Sequence, residues 1–174
     1  KVKYLLTLQE GDPIDYIRSR VKFVYPLFRK IFTKADFIQT ISNYLANWAK
    51  SEGYGGHLLV VPQGVDSKYF SQPVTKNRLD LAREHLAKKE GNVYLVTTSR
   101  LVKKNACDDV IKALAYLPSN IHFIIIGIGP DEAMLHGLAE KLKVVNRVRF
   151  LGEMNRAEMP VYLQSSDIFI RPSL

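Results

Sequence analysis

The chain has a single cysteine, Cys107, among 174 residues, which excludes an internal disulfide. Its four histidines, His57, His85, His122 and His136, show no metal-ligand spacing with Cys107 or with one another, so no metal site is expected. A reducing, cytoplasmic setting follows as the expectation. No apolar run approaches the roughly 20 residues needed to span a bilayer, and no charged segment followed by an apolar one opens the chain as a signal peptide would. There is no repeat of solenoid period and no low-complexity tract. Acidic charge is also short: 17 Asp and Glu against 25 Lys and Arg leave a formal net charge of +8. That balance favours phosphates, nucleic acid or anionic lipid as partners without choosing among them. The chain opens at Lys1 without a methionine and stops just after an apolar run, so truncation at both ends is expected.

What is present is an ordinary globular composition, 47% hydrophobic and 24% charged, with enough length for a sizeable core. From about residue 92 onward the pattern alternates apolar strand-like runs at 93–99, 121–127, 148–152 and 168–171 with amphipathic helices at 107–117, 131–143 and 157–165. Strands that are continuously apolar and joined by helices predict a parallel α/β sheet covered on both faces. Upstream, strands at 2–8, 37–41 and 58–61 alternate with a long basic helical stretch and a helix at 43–53, predicting a second α/β unit. Turn formers between 64 and 73 place the junction there, followed by a bridging helix at 77–89.

In a parallel sheet, ligands bind beyond the carboxyl ends of the strands, so the strand exits carry the candidates. The first exit, Ser99-Arg100-Leu101-Val102-Lys103-Lys104-Asn105, gathers three cations before the Cys107 helix, a candidate phosphate site or else a solvated basic loop. The second, Gly127-Ile128-Gly129-Pro130, fails the dinucleotide fingerprint because Glu132 stands where a third glycine is needed. It reads as a tight turn with Pro130 at the first helical position, while Asp131 and Glu132 offset the helix dipole. The third, Gly152-Glu153-Met154, would let a flat base approach backbone beside an apolar methionine, or is simply a turn. The fourth, Pro172-Ser173-Leu174, ends the chain. His122 lies at the opposite end of its strand and reads as structural, the other histidines as exposed or peripheral, and Trp48 packs on the helical face of Tyr44 and Leu45.

Taken together, a strand, S-R-L-V, a basic turn, D-D-x-I-x-A-L, I-I-G-x-G-P, V-x-F-L-G and Y-L-x-x-S-D-I-F-I-x-P-S resemble the carboxyl-terminal domain of the glycosyl transferases group 1 family. Val61-Pro62-Gln63-Gly64-Val65-Asp66 resembles that family's V-P-N-G-V-D hinge, and residues 35–42 its A-D-x-I-x-x-x-S stretch. The resemblance implies a GT-B architecture: residues 1–66 as the end of an amino-terminal, acceptor-side domain, 67–92 as a connecting segment, and 93–174 as a truncated Rossmann-like domain for the nucleotide sugar. It implies transfer of sugar from a nucleotide-diphosphate sugar to a sugar, lipid-linked or other hydroxyl acceptor, with retention, without metal and without a cofactor. Arg100 and a lysine of the next turn would hold the diphosphate and stabilise the leaving group. Gly127 and Gly152 would line the site, backbone near Glu153 and Met154 would hold the base, and Ser173 would lie near the phosphate end.

The sequence departs from the family at several points. Asn105 and Ala106 stand where the family carries lysine and glycine, leaving Lys104 as the substitute cation. Gln9 replaces a histidine near the reacting sugar; an amide can position a hydroxyl but cannot take its proton, which leaves Glu10 as the nearby base candidate or an exposed loop carboxylate. The family's E-x7-E element would fall beyond Leu174 and its glycine-rich loop before Lys1, so little or no turnover is expected of this chain. Between 15 and 34, basic residues alternate with aromatic and aliphatic ones, a pattern open to peripheral contact with anionic membrane or to a helix that buries its aromatics in the domain. A GT-B sugar-nucleotide epimerase and a non-catalytic nucleic-acid-binding α/β protein stand as alternatives; no nucleic-acid motif is present, and nucleic acid is not expected as a partner.

Overall fold

The computed structural model describes residues 3–9 and 11–173, and the chain divides into two compact units, Lys1–Asp66 and Ser67–Leu174. Both are α/β with wholly parallel sheets, the fold class expected.

In the first unit, β1 (Leu5–Leu8), β2 (Phe37–Thr40) and β3 (His57–Val60) pair in the order β1-β2-β3. The predicted long basic helix is two helices, α1 (Ile14–Arg20) and α2 (Tyr25–Thr33), separated by a 3-10 turn at Lys22–Val24. Pro26 explains the break: it lacks the N–H that a continuous helix needs, yet fits the first turn of a new one, where it stands in α2. Helix α3 (Asn43–Ser51) starts at Ser42, whose Oγ accepts from the Leu45 N–H at 3.3 Å. Phe32, Ile38, Leu45, Trp48 and Ala49 form the core, with Phe32 and Trp48 edge to face at 5.2 Å. Tyr44 departs from expectation: Trp48 and Leu45 are buried, but Tyr44 is 63% exposed, because a residue one position before Leu45 is turned some 100° around the helix.

One carboxylate organises this unit. Glu52 is wholly buried, and its oxygens accept from Arg18 Nη2 at 2.8 Å, Tyr25 Oη at 2.6 Å and Trp48 Nε1 at 2.9 Å, while its carbonyl accepts from Arg29 Nε at 3.2 Å. Residues from α1, α2 and α3 therefore converge on one group. Burial alone would raise the Glu52 carboxyl, but the donors from Tyr25, Arg18 and Trp48 outweigh it and hold it below its ordinary value.

In the second unit, the strands β4 (Val93–Thr98), β5 (Ile121–Ile126), β6 (Val148–Phe150) and β7 (Ile168–Phe169) pair in the order β6-β5-β4-β7. Helices α4 (Ser67–Ser71) and α5 (Lys76–His85) precede the sheet, and α6 (Cys107–Leu114), α7 (Glu132–Lys141) and α8 (Met159–Ser165) connect its strands. Alternate residues of β4 and β5 feed two cores. Leu95, Phe123 and Ile125 pack with Ile111, Leu114 and Leu135 on one face; Tyr94, Val96, Ile124 and Ile126 pack with Leu86, Tyr162 and Leu163 on the other. Burial on both faces is why these strands read as unbroken apolar runs. Helix α7 begins at Glu132 after Asp131, so Pro130 lies before the helix instead of at its first position. The segment 67–92 groups with this unit, where α5 packs on α8. Lys88 Nζ meets the Asp167 carboxylate at 2.7 Å, and Asp167 accepts the Tyr94 N–H at 2.7 Å, which fixes the start of β7 against β4.

Because its folded-state value is depressed, the Glu52 carboxylate contributes stability in full above the unfolded-state pKa near 4.5, and that stability is lost as pH falls through the lower folded value. Glu52→Ala leaves three donors without their acceptor and is expected to lower the unfolding free energy of the first unit by about 3 kcal/mol at neutral pH, and by progressively less in acid. Urea unfolding followed by Trp48 fluorescence at neutral and acid pH checks both parts.

Candidate nucleotide-sugar cleft

The exits of β4, β5 and β6 are held together by backbone. Past the end of β4, Ser99 N–H donates to Ile126 O at 3.0 Å and Leu101 N–H to Ile128 O at 3.0 Å; the Leu101 carbonyl then accepts from Asp131 N–H at 3.1 Å. Gly127 N–H reaches the Gly152 carbonyl at 2.7 Å, tying in the third exit. This stitching requires glycine at two places. A Cβ on Gly127, where φ is +136°, would fall inside the Ser99 carbonyl oxygen, and one on Gly129 would overlap Leu101 backbone. The two glycines thus permit close approach of neighbouring loops as well as the turn read from sequence.

Above this rim lies a cleft of about 690 Å³, wholly within the second unit. Arg100, Gly127, Glu153 and Met154, four of the residues singled out from sequence, line it together, and Gly152 supports Gly127 from behind through its carbonyl. Ser99 and Ile128, which lie in the exits read from sequence but were given no role of their own, also line the cleft, as does Met159, which was not picked out; Glu132 had only a role in offsetting the helix dipole. The signal was available: Ser99 and Ile128 flank residues already picked out at the exits, whereas Met159 reaches the cleft from α8, away from any strand exit.

Lys104 and Ser173 are exposed and do not line the cleft; Lys104 sits on the 3-10 turn Lys103–Asn105. Asn105, read from the resemblance as standing at the family's lysine position, is buried and donates from Nδ2 to the Arg100 carbonyl at 2.7 Å. It braces the loop that carries Arg100. Ala106, standing at the family's glycine position, adopts the left-handed conformation with φ 48°, at a cost of about 1 kcal/mol for a residue with a Cβ. The start of α6 is less positive than its amides alone would make it, since Asp108 and Asp109 occupy its first turn and bind Lys112 at 2.6 and 2.8 Å. Burial pushes the Cys107 thiol up, despite Ser99 Oγ at 3.7 Å, leaving an unreactive packing residue.

In the first unit, Gln9 follows β1 at the carboxyl edge of its sheet, and its Oε1 accepts from Gln63 Nε2 at 3.4 Å. Glu10, the base candidate, lies outside the described residues. Among the described residues no group of three or more His, Cys, Asp or Glu is arranged to hold a metal.

Comparison with known proteins gives the family. The family model for glycosyl transferases group 1 matches residues 80–174, more than half of the chain and all the residues that line the cleft. The chain belongs to the glycosyl transferases group 1 family. A GDP-mannose-dependent monoacylated alpha-(1-6)-phosphatidylinositol monomannoside mannosyltransferase of Corynebacterium glutamicum is 32% identical over 150 residues, 83% of this chain and 38% of that protein. Alpha-monoglucosyldiacylglycerol synthase of Acholeplasma laidlawii is 25% identical over 124 residues, 69% of this chain and 31% of that protein. The chain thus spans about a third of the length of these relatives. Among solved structures, Anabaena HepE in complex with UDP and glucose aligns with a TM-score of 0.80 at 20% identity, covering 98% of this chain and 46% of that one. WaaG, a glycosyltransferase involved in lipopolysaccharide biosynthesis, aligns at 0.72 and 19%, covering 97% and 50%. At such identities these matches carry the fold, the GT-B class over part of its length.

Gly127→Ala is expected to destabilise the second unit by about 2–6 kcal/mol, the sum of a strained left-handed residue and an overpacked contact. Thermal unfolding checks this, and an unchanged melting temperature would show that the two loops separate easily.

Proposed function

We propose that this chain is part of a nucleotide-sugar glycosyltransferase in which residues 67–174 hold the donor and residues 1–66 belong to the acceptor side. The observation that carries this is the placement of Arg100 at the exit of β4, in one cleft with the glycine rim and with Glu153 and Met154. A guanidinium there pairs with diphosphate oxygens and neutralises the charge that builds on the leaving group as the bond to the anomeric carbon breaks. Met154 supplies an apolar surface for a base, and the backbone around Glu153 polar contacts for its edge. The cleft is sized for a nucleotide sugar. Relatives named for GDP-mannose and a solved relative holding UDP support a nucleoside diphosphate as the ligand class. In this reading the outcome of transfer is retention of configuration.

The acceptor we infer is a hydroxyl on a lipid-linked molecule. Two relatives are named for glycolipid products or acceptors, and the first unit carries a matching surface. Phe23 is 95% exposed at the corner between α1 and α2, with Val24, Leu27 and Ile31 also exposed and Arg20, Lys22 and Lys30 exposed among them. Side chains of this kind insert between headgroups while the cations meet anionic lipid. Contact would be peripheral: no helix among the described residues is long and apolar enough to cross a membrane.

Calorimetric titration of the chain with UDP, GDP and ADP tests the donor site. One diphosphate is expected to bind selectively, and Arg100→Ala to weaken it about 10- to 100-fold, the value of a charge-assisted hydrogen bond; no binding to any of the three overturns the assignment. Pelleting with phosphatidylglycerol vesicles tests the surface. Phe23→Ser is expected to reduce binding about tenfold or more, and salt to weaken it in both proteins, whereas equal pelleting of the two would rule out the Phe23 corner.

A further inference from the structure

A second pocket, of about 420 Å³, opens at the opposite end of the same sheet, where Asn92 precedes β4, His122 lies near the start of β5 and Arg149 stands in β6. Its lining carries Lys89 and Arg149 and no carboxylate, with the side-chain amides of Asn92, Asn120 and Asn146 around them. Behind them His122 is held rigidly. The Tyr94 ring stacks on it at 4.8 Å and 9°, and Asn92 Nδ2 is hydrogen-bonded to its Nε2 at 3.0 Å.

The charge here is not balanced from within. Arg149 gives one of its N–H groups to the His85 carbonyl at 3.3 Å, and a guanidinium has five. Arg147, beside the pocket, binds the carbonyls of Leu114, Pro118 and Ile121. Asp167, on the far side of Tyr94, is already engaged by Lys88 and the Tyr94 N–H. Burial, together with Arg147, Arg149 and Lys89, holds the His122 imidazole below its ordinary value. Two cations with no anion between them suit a dianion, and the pocket is several times larger than a phosphate, leaving room for a body that hydrogen-bonds to the amides.

We propose that this pocket is a binding site for a small phosphorylated metabolite, its phosphoryl oxygens held by Lys89 and Arg149 and its hydroxyl groups by the neighbouring asparagines. The site is separate from the cleft at the carboxyl ends of the strands and does not depend on the donor assignment. A dianion seated beside His122 favours its protonated form by direct attraction, so the ring itself reports occupancy.

The test is an NMR titration of the His122 ring in the chain, at constant ionic strength, with inorganic phosphate and glucose 6-phosphate as probes and glucose as control. Either phosphate is expected to raise the His122 proton affinity about tenfold, one pH unit, and glucose to leave it unchanged. The double substitution of Lys89→Ala with Arg149→Ala, both at exposed side chains, is expected to remove the response to phosphate. Arg100→Ala, at the other rim, is expected to leave it intact, so a failed donor cleft and a failed second pocket are told apart. The proposal is overturned if neither phosphate moves the His122 titration or if the double variant responds as the parent does.

Discussion

At the rim of β4 and β5 two backbone segments lie so close that no side chain fits between them, and the geometry of the cleft depends on that contact. Ser99 and Leu101 continue the pairing with the chain beyond β5 after the regular strands have ended, and Gly127 and Gly129 are the residues whose missing Cβ atoms make this possible. Arg100 lies between the two paired residues. Its backbone is therefore held on both sides while its side chain stays exposed, the condition for a cation that meets a ligand without having to be ordered first. Asn105 completes the restraint by donating to the Arg100 carbonyl, so a residue that departs from the family pattern does its work on the main chain.

Each unit also turns on one carboxylate that joins elements distant in sequence. Glu52 collects Arg18, Tyr25 and Trp48, and Asp167 collects Lys88 and the Tyr94 N–H. Their environments differ. Glu52 is fully buried and accepts from three side chains, whereas the Asp167 side chain is 40% exposed and its pair with Lys88 is partly screened by water. For Asp167 the stronger tie is the hydrogen bond to the backbone of β4, which sets where the short strand β7 begins and hence where the chain emerges beyond it. For both carboxylates, donors from neighbouring groups outweigh the effect of burial.

Much of the fold was legible because two-sided burial leaves a plain mark: the run at 121–126 is apolar at all but His122, and the run at 93–98 is β-branched, leucine or tyrosine throughout with threonine only at its last two positions, as a covered parallel strand requires. The exits of those strands were legible for the same reason, and they brought Arg100, Gly127, Glu153 and Met154 to one place. Three features were not legible. The break between α1 and α2 depended on whether Pro26 would bend a helix or start another, which tertiary packing of Phe28 and Phe32 decides. Met159 lies on a helix and not at a strand exit, and the helical face that touches the core also borders the cleft. Asn105 invited comparison with a lysine, whereas its burial and its bond to Arg100 are properties of the folded loop that no spacing encodes.

The charge in the cleft constrains how a donor can lie there. Its lining holds one cation, Arg100, against two carboxylates, Glu132 and Glu153, so the cleft as a whole does not attract a dianion indiscriminately. A diphosphate is favoured only at the Arg100 end, where Lys103 and Lys104 stand on the adjoining turn. Carboxylates repel phosphate but accept strongly from hydroxyl and amide N–H groups, so Glu132 and Glu153 suit the ribose, the base edge or the sugar. On the proposed reading, the same distribution that weakens attraction for phosphate alone favours one orientation of the donor, with the pyrophosphate against β4 and the hydroxyl-rich or base-bearing parts toward the exits of β5 and β6. If the cleft holds the proposed donor, this asymmetry separates a nucleotide sugar from free phosphate, because only a ligand carrying both kinds of group satisfies both kinds of residue.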